Sequence, residues 1–250
     1  MDVLGIDIGG TGIKGAPVNT KTGELIAERF RIPTPQNATP AAIADVVAQI
    51  ARHFNWTGPI GCTVPARVEH GLVRTASNIH ADWIDTQVEE LFSEKTGCPT
   101  RVLNDADAAG VASMTFGLGA SLTGLVFFIT VGTGIGSAMF FNRVLIPGTE
   151  LGHLRLKGDA AELYASDRAR VKEDLSWKRW ARRFQKYLDR LEFLFAPDHI
   201  IIGGGISRPS KVKSYSKHLA TRATLHFSSL ENEAGIIGAA CAAASNQNES

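Results

Sequence analysis

The chain reads as an α/β protein with mixed sheets, and three observations predict it. Two pairs of apolar runs, 3–8 with 13–19 and 125–131 with 135–141, each flank a glycine turn, the layout of an antiparallel hairpin. Helical patterns then alternate with short apolar strands. A length of 250 residues, 44% apolar and 20% charged, allows a sizeable core in one compact unit or two small lobes.

Taken in order, the first hairpin turns at Gly9-Gly10-Thr11-Gly12, and 25–32 adds a third strand. Pro33 and Pro35 break the sheet. Thr39-Pro40, a cap residue followed by proline in the first turn, opens a helix running to about Phe54. Residues 60–64 return as a strand, 86–95 form a short helix before Gly97, 100–103 form a short buried strand, and 105–116 are Ala-rich and helix-prone. The second hairpin turns at Gly132-Thr133-Gly134 and suggests a second lobe on the same plan. A helix over 175–195, a strand over 199–202 ending in Gly203-Gly204-Gly205, and a closing helix over 234–244 complete the chain, whose tail after Ser245 reads as frayed. The lobes divide as 1–108 plus 235–250, a small N-terminal lobe, and 109–234, a large one.

Composition removes several classes. A net charge of +1 leaves partners undecided by bulk charge, so any basic surface is local. Cys62, Cys98 and Cys241 are too few and too far apart for a disulfide framework or a paired-cysteine metal site, which fits a reducing compartment. The N-terminus has no basic head, so no secretory signal is expected and a cytoplasmic location is. Residues 124–141 carry no charge, yet their glycines, threonines and serine favour a buried hairpin over a membrane span.

The glycine loops carry the chemistry. Asp7 ends an apolar strand, and the side-chain-free turn after it lets backbone N–H groups approach phosphate oxygens, with Asp7 able to hold a hydrated Mg²⁺. The competing reading is an ordinary tight hairpin. A second such loop at residues 130–136 weakens that alternative, since two could close on one phosphate chain. Gly203-Gly204-Gly205 suits a nucleotide base or sugar lying against bare backbone. Neither a P-loop nor a dinucleotide fingerprint is present.

These loops, with N-D-A-D-A-A-G from Asn104 and E-L-G-H from Glu150, resemble the ROK (repressor, open reading frame, kinase) sugar kinases from about Val3 to Ala243. Within that family the likeness is greatest to the polyphosphate glucokinases, including those that accept ATP and mannose, on D-I-G-G-T-G-I-K-G and D-L-S-W as well. The resemblance implies an actin-like, ribonuclease-H-like two-lobed fold with a cleft between the lobes, and a homodimer. It implies transfer to the 6-hydroxyl of glucose, or of mannose, from polyphosphate or ATP with Mg²⁺. Asp105 matches the catalytic base, and Asn78, Asn104, Glu150, His153 and Glu162 the residues that hold sugar hydroxyls. Asp7, Gly9, Gly10, Thr11, Gly12 and Lys14 match the first phosphate loop, Gly132, Thr133 and Gly134 the second, and Gly203, Gly204 and Gly205 the adenosine region.

Three departures qualify the likeness. No cysteine cluster follows Gly152-His153, so a structural zinc is not expected. No helix-turn-helix precedes the first loop, so DNA binding is not expected. Val64-Pro65-Ala66-Arg67 stands where relatives read F-P-G, which leaves sugar preference open.

The residues themselves leave some roles double. Asp105, just past a buried strand and at a helix start, is either a base in reach of a sugar hydroxyl or only an N-cap; Asp107 reads as structural. Glu150 and His153 suit a sugar diol if their segment turns helically, or half of a metal site. Residues 168–190 hold nine Lys or Arg against three acids, with Trp177, Trp180, Phe184, Leu188 and Leu191 at helical spacing. This is either a solvated helix face or a track for a polyanion such as polyphosphate. An actin- or chaperone-like ATPase, or a catalytically silent sugar sensor, remain the alternative functions.

Overall fold

The computed structural model describes residues 1–76, 79–229 and 233–245. The first unit contains β1 (Asp2–Gly9), β2 (Gly12–Asn19), β3 (Glu24–Leu25), β4 (Phe30–Ile32), α1 (Pro40–His53), β5 (Ile60–Val64), β6 (Val68–Glu69), β7 (Leu72–Val73), α2 (Val88–Thr96), β8 (Thr100–Asn104) and most of α3 (Asp105–Thr115). The second holds β9 (Leu125–Val131), β10 (Ile135–Phe141), β11 (Val144–Ile146), β12 (Arg155–Leu156), β13 (Asp159–Ala160), α4 (Ala161–Ala165), α5 (Asp167–Lys172), α6 (Trp177–Phe195), β14 (His199–Gly203), α7 (Pro209–Tyr215) and β15 (Thr224–Phe227). The last helix, α8 (Ala234–Ser245), returns to the first unit. The units meet in sequence between Ala112 and Ser113, inside α3.

Each unit has its own mixed sheet, in the order β3-β2-β1-β5-β8 with β4 also on β2, and β11-β10-β9-β14-β15. In both, an antiparallel hairpin is followed by two parallel strands: β1 pairs β5 and β5 pairs β8, while β9 pairs β14 and β14 pairs β15. The second lobe therefore repeats the plan of the first. The uncharged run at 124–141 is the β9–β10 hairpin, and among the described residues no helix is long and apolar enough to cross a membrane.

Local chemistry explains the boundaries. Thr39 caps α1 by accepting from the Ala42 N–H at 3.3 Å, with Pro40 in the first turn. Gly97 ends α2 in the left-handed region at φ 70°. The single strand expected at 25–32 is instead two short ones. Val18 pairs Leu25 but Gly15 pairs Phe30, so the register steps by two residues across Pro17, which has no N–H to donate to the ladder. In α6 the buried stripe is Trp180, Ala181, Phe184, Tyr187, Leu188 and Leu191, packed on the second sheet, while Trp177 is only half-buried.

Candidate functional site

The first unit's candidate residues gather at the carboxyl ends of its parallel strands, where open α/β sheets place ligands. Asp7 of β1 lies in register with Thr63 of β5, and Val64 with Asn104 of β8. The fully buried Thr63 hydroxyl accepts from the Ile8 N–H at 3.1 Å and donates to Asp7 Oδ1 at 2.9 Å. Thr63 thus fixes the carboxylate and uses one of its oxygens. Gly235, in the first turn of α8, packs so close that a Cβ there would meet Asp7 Oδ1 at 2.9 Å.

The first glycine turn joins Gly9 to Gly12, and nothing lies within 4 Å of where a Cβ of Gly10 would sit. Arg31 covers the other side. It is the register partner of Lys14, its Nη2 donates to the Thr11 carbonyl at 2.7 Å, and its guanidinium lies where a Cβ on Gly12 would stand. The turn therefore carries two neighbouring cations, and Thr34 donates to the Gly9 carbonyl at 2.6 Å.

Asn104 and Asp105 both meet the first N–H groups of α3. Asn104 Oδ1 accepts from the N–H groups of Ala106 at 2.8 Å and Asp107 at 3.2 Å, so Asn104 caps α3, and its Nδ2 donates to the Ala66 carbonyl at 3.1 Å. That carbonyl belongs to the segment where the chain departs from F-P-G. Asp105 is exposed and accepts from the Ala106 N–H at 2.8 Å, whereas Asp107 is only 3% exposed. Of the two acids, Asp105 is the one a ligand can reach. Asn78 lies outside the described residues.

In the second unit the β9–β10 turn is closed by Gly132 N–H to the Gly134 carbonyl at 3.0 Å, and the Arg168 N–H of α5 donates to the Gly132 carbonyl at 3.1 Å. Gly204, at φ 76°, approaches the backbone of Val131 so closely that a Cβ would lie 2.8 Å from its nitrogen and its oxygen. The second and third glycine turns are consequently neighbours, as the pairing of Gly203 with Thr130 requires.

Glu150 and His153 bracket a short 3₁₀ turn, with His153 N–H donating to the Glu150 carbonyl at 3.0 Å and the imidazole Nε2 at 3.8 Å from the Glu150 carboxylate. The buried Ser137 hydroxyl fastens this turn to β10, accepting from the Leu151 N–H at 2.9 Å and donating to the Thr149 carbonyl at 2.9 Å. Glu162 sits against Gly134 and accepts from the Ile135 N–H at 3.3 Å, so one of its oxygens supports the second glycine loop.

Sequence reasoning missed Thr63, Ser137 and Arg31. A lone hydroxyl inside an otherwise apolar strand was the available signal for the first two. Nothing local marks Arg31, which reaches the turn only through strand register.

The profile of the ROK family matches residues 3–168. The polyphosphate glucokinase of Mycobacterium tuberculosis (strain CDC 1551 / Oshkosh) is 44% identical over 240 residues, 96% of this chain and 90% of that protein. That of Mycobacterium leprae (strain TN) is 43% identical, over 96% and 74%. The crystal structure of the inorganic polyphosphate/ATP-glucomannokinase from Arthrobacter sp. strain KM superposes with a TM-score of 0.91 at 44% identity, covering 98% of this chain and 99% of that one. With glycine turns at the strand ends of both units and likeness along nearly its whole length, the chain belongs to the ROK family and has its actin-like, two-lobed α/β fold.

Proposed function

We propose that this chain is a glucokinase that moves a phosphoryl group from inorganic polyphosphate, and also from ATP, to the 6-hydroxyl of glucose, with Asp105 as general base. The observation that carries the reading lies at the start of α3: Asn104 accepts two of the helix's first N–H groups, and the Asp105 carboxylate, which also accepts from Ala106, is exposed at the carboxyl edge of the sheet. Relatives 44% identical over nearly the full length, named for polyphosphate, ATP and glucose, support the same donors and acceptor.

A sugar alcohol is a poor nucleophile, and phosphoryl transfer depends mostly on alignment and charge neutralisation. Glu150, His153 and the remaining oxygen of Glu162 hold sugar hydroxyls, and Asn104 has a second Nδ2 hydrogen to offer. Asp105 accepts the 6-hydroxyl proton as that oxygen bonds to phosphorus and the donor's bridging P–O bond breaks, releasing a shortened polyphosphate or ADP. Lys14 and the backbone N–H groups of both glycine loops neutralise the donor. Mg²⁺ fits Asp7, a single carboxylate with one oxygen taken by Thr63, because this ion is held by one or two carboxylates together with phosphate oxygens and water. When bound, it offsets charge on the donor phosphates.

The test is glucose 6-phosphate formation by wild type and Asp105→Asn with each donor. The expected result is a kcat loss of about 10²–10⁴-fold, the usual contribution of a positioned base, with little change in the KM for glucose. Undiminished turnover by the variant refutes the base assignment. ATP hydrolysis with no sugar phosphate formed selects the ATPase alternative.

A further inference from the structure

The structure sorts the cations of residues 168–190. Arg170 is committed to Asp167 at 2.7 Å and lies 4.1 Å from the Trp177 ring, and Arg183 is committed to Glu173 and stacked on Tyr164. Lys178, Arg182, Lys186 and Arg190 remain on α6, all exposed, with Arg179 beside them. None of the five forms an ion pair among the described residues. Arg190 additionally lies over the Phe193 ring at 5.8 Å.

These four stand in one i, i+4 series. At a rise of 1.5 Å per residue they are about 6 Å apart along the axis and the row is about 18 Å long, turning only about 40° per step. A helix face that needs only solubility gains from alternating signs, whereas like charges four residues apart destabilise the helix. The acids of α6 do not relieve the row. Asp189 accepts from Gln185 at 2.6 Å, and Glu192 accepts from the Arg222 and Ala223 N–H groups at 2.6 and 2.8 Å.

Its surroundings extend the row. Gln185 also holds Ala220 in both directions, at 2.6 and 2.8 Å, so the loop that carries the exposed Arg222 is fastened along its flank. At the N-terminal end Trp177 meets Arg170 of α5, and α5 donates the Arg168 N–H to Gly132. The N-terminal end of α6, where the row begins, is thus linked to the second glycine loop through α5, within one unit.

We propose that Lys178, Arg182, Lys186 and Arg190, with Arg179, form a track for the part of an inorganic polyphosphate chain that extends beyond the phosphates held at Gly132, Thr133 and Gly134. The proposal rests on the polyphosphate-donor reading above. A linear row of cations matches a linear polyanion, which binds by releasing counterions along its length.

The test compares the full chain with Arg182→Glu/Lys186→Glu and with the milder Arg182→Gln/Lys186→Gln. Each is assayed with long-chain polyphosphate, tripolyphosphate and ATP across a salt series. The charge reversal should raise the KM for long-chain polyphosphate about tenfold, and the neutral pair should lower the slope of log KM against log salt by about 1.4, two contacts at about 0.7 each. Tripolyphosphate and ATP kinetics should stay as in wild type. An unchanged KM for the long chain in both variants overturns the track, as does an equal loss with ATP. Failure of the donor reading looks different: wild type then makes glucose 6-phosphate from ATP and none from any polyphosphate, which ends both claims.

Discussion

At Asn104 a single amide joins two segments, because the Oδ1 that satisfies the first N–H groups of α3 belongs to the same group whose Nδ2 grips the Ala66 carbonyl. Replacing it with alanine removes a helix cap, worth about 0.5–2 kcal/mol, and a hydrogen bond worth about 1 kcal/mol. Asn104→Ala should therefore lower the urea midpoint and also impair catalysis, since the first turn of α3 positions Asp105. Asp105→Asn, which keeps an oxygen for the Ala106 N–H, should lower the midpoint less than Asn104→Ala while abolishing most turnover. Equal destabilisation by the two substitutions would mean that Asp105 supports the helix as much as Asn104 does. Arg31 illustrates another property visible only at this scale. Its guanidinium fills the space that a side chain at residue 12 would need, so a Cβ there would displace Arg31 from the turn.

Among the elements, α5 and α7 are short, and one carboxylate ties them together: Asp167 binds Arg170 at 2.7 Å and Lys211 of α7 at 2.9 Å. Burial alone would push this carboxyl up, but the hydrogen bonds from Arg170 and Lys211, with their charges, outweigh it and hold it below the usual carboxylate range. A pKa lower in the folded than in the unfolded chain gives stabilisation that is fully present above the ordinary aspartate value of about 3.9 and fades as pH falls through the folded value. Asp167→Asn should thus melt below wild type at neutral pH, and the two melting temperatures should converge below about pH 4. A gap independent of pH would refute the assignment. Elements of this size also mark the limit of what the sequence discloses. The hairpins, α1, β5, α3 and α6 were legible because period, glycine turns and caps are local signals. The split of β3 from β4, the pairs β6–β7 and β12–β13, and the strands β11 and β15 were not, since two to four residues carry no period and pair only through partners distant in sequence. The site divides the same way: its glycine loops and acids stand in contiguous motifs, while Arg31, Thr63 and Ser137 arrive by register.

For the molecule as a whole, the path of the chain sets a condition that neither unit reveals by itself. The first unit is made of two segments separated by the entire second unit, and α8 closes it against β1, β5 and α3. Eight of the twelve residues of α8 are buried, most of them small, so it lies flush on the sheet. Glycines make that approach possible: a Cβ at Gly61 would collide with the Ala239 carbonyl, one at Gly5 with the Ile236 carbonyl, and one at Gly238 with the Ala108 carbonyl. These neighbours are backbone atoms of packed elements, which no change of rotamer can move aside. Gly61→Ala, although the smallest possible enlargement, should force α8 off β5 and cost about 1–3 kcal/mol, the usual penalty for overpacking a filled core. Because Gly235 of α8 abuts Asp7, and Gly238 abuts the helix that carries Asp105, the same displacement should reach the site and lower kcat with both donors. Hydrogen exchange followed by mass spectrometry, run beside the activity assay, locates the effect. Protection should fall first in peptides from α8 and β5, and wild-type exchange there in the Gly61→Ala variant would show that the helix tolerates the added methyl group and that the close approach is not what fixes it.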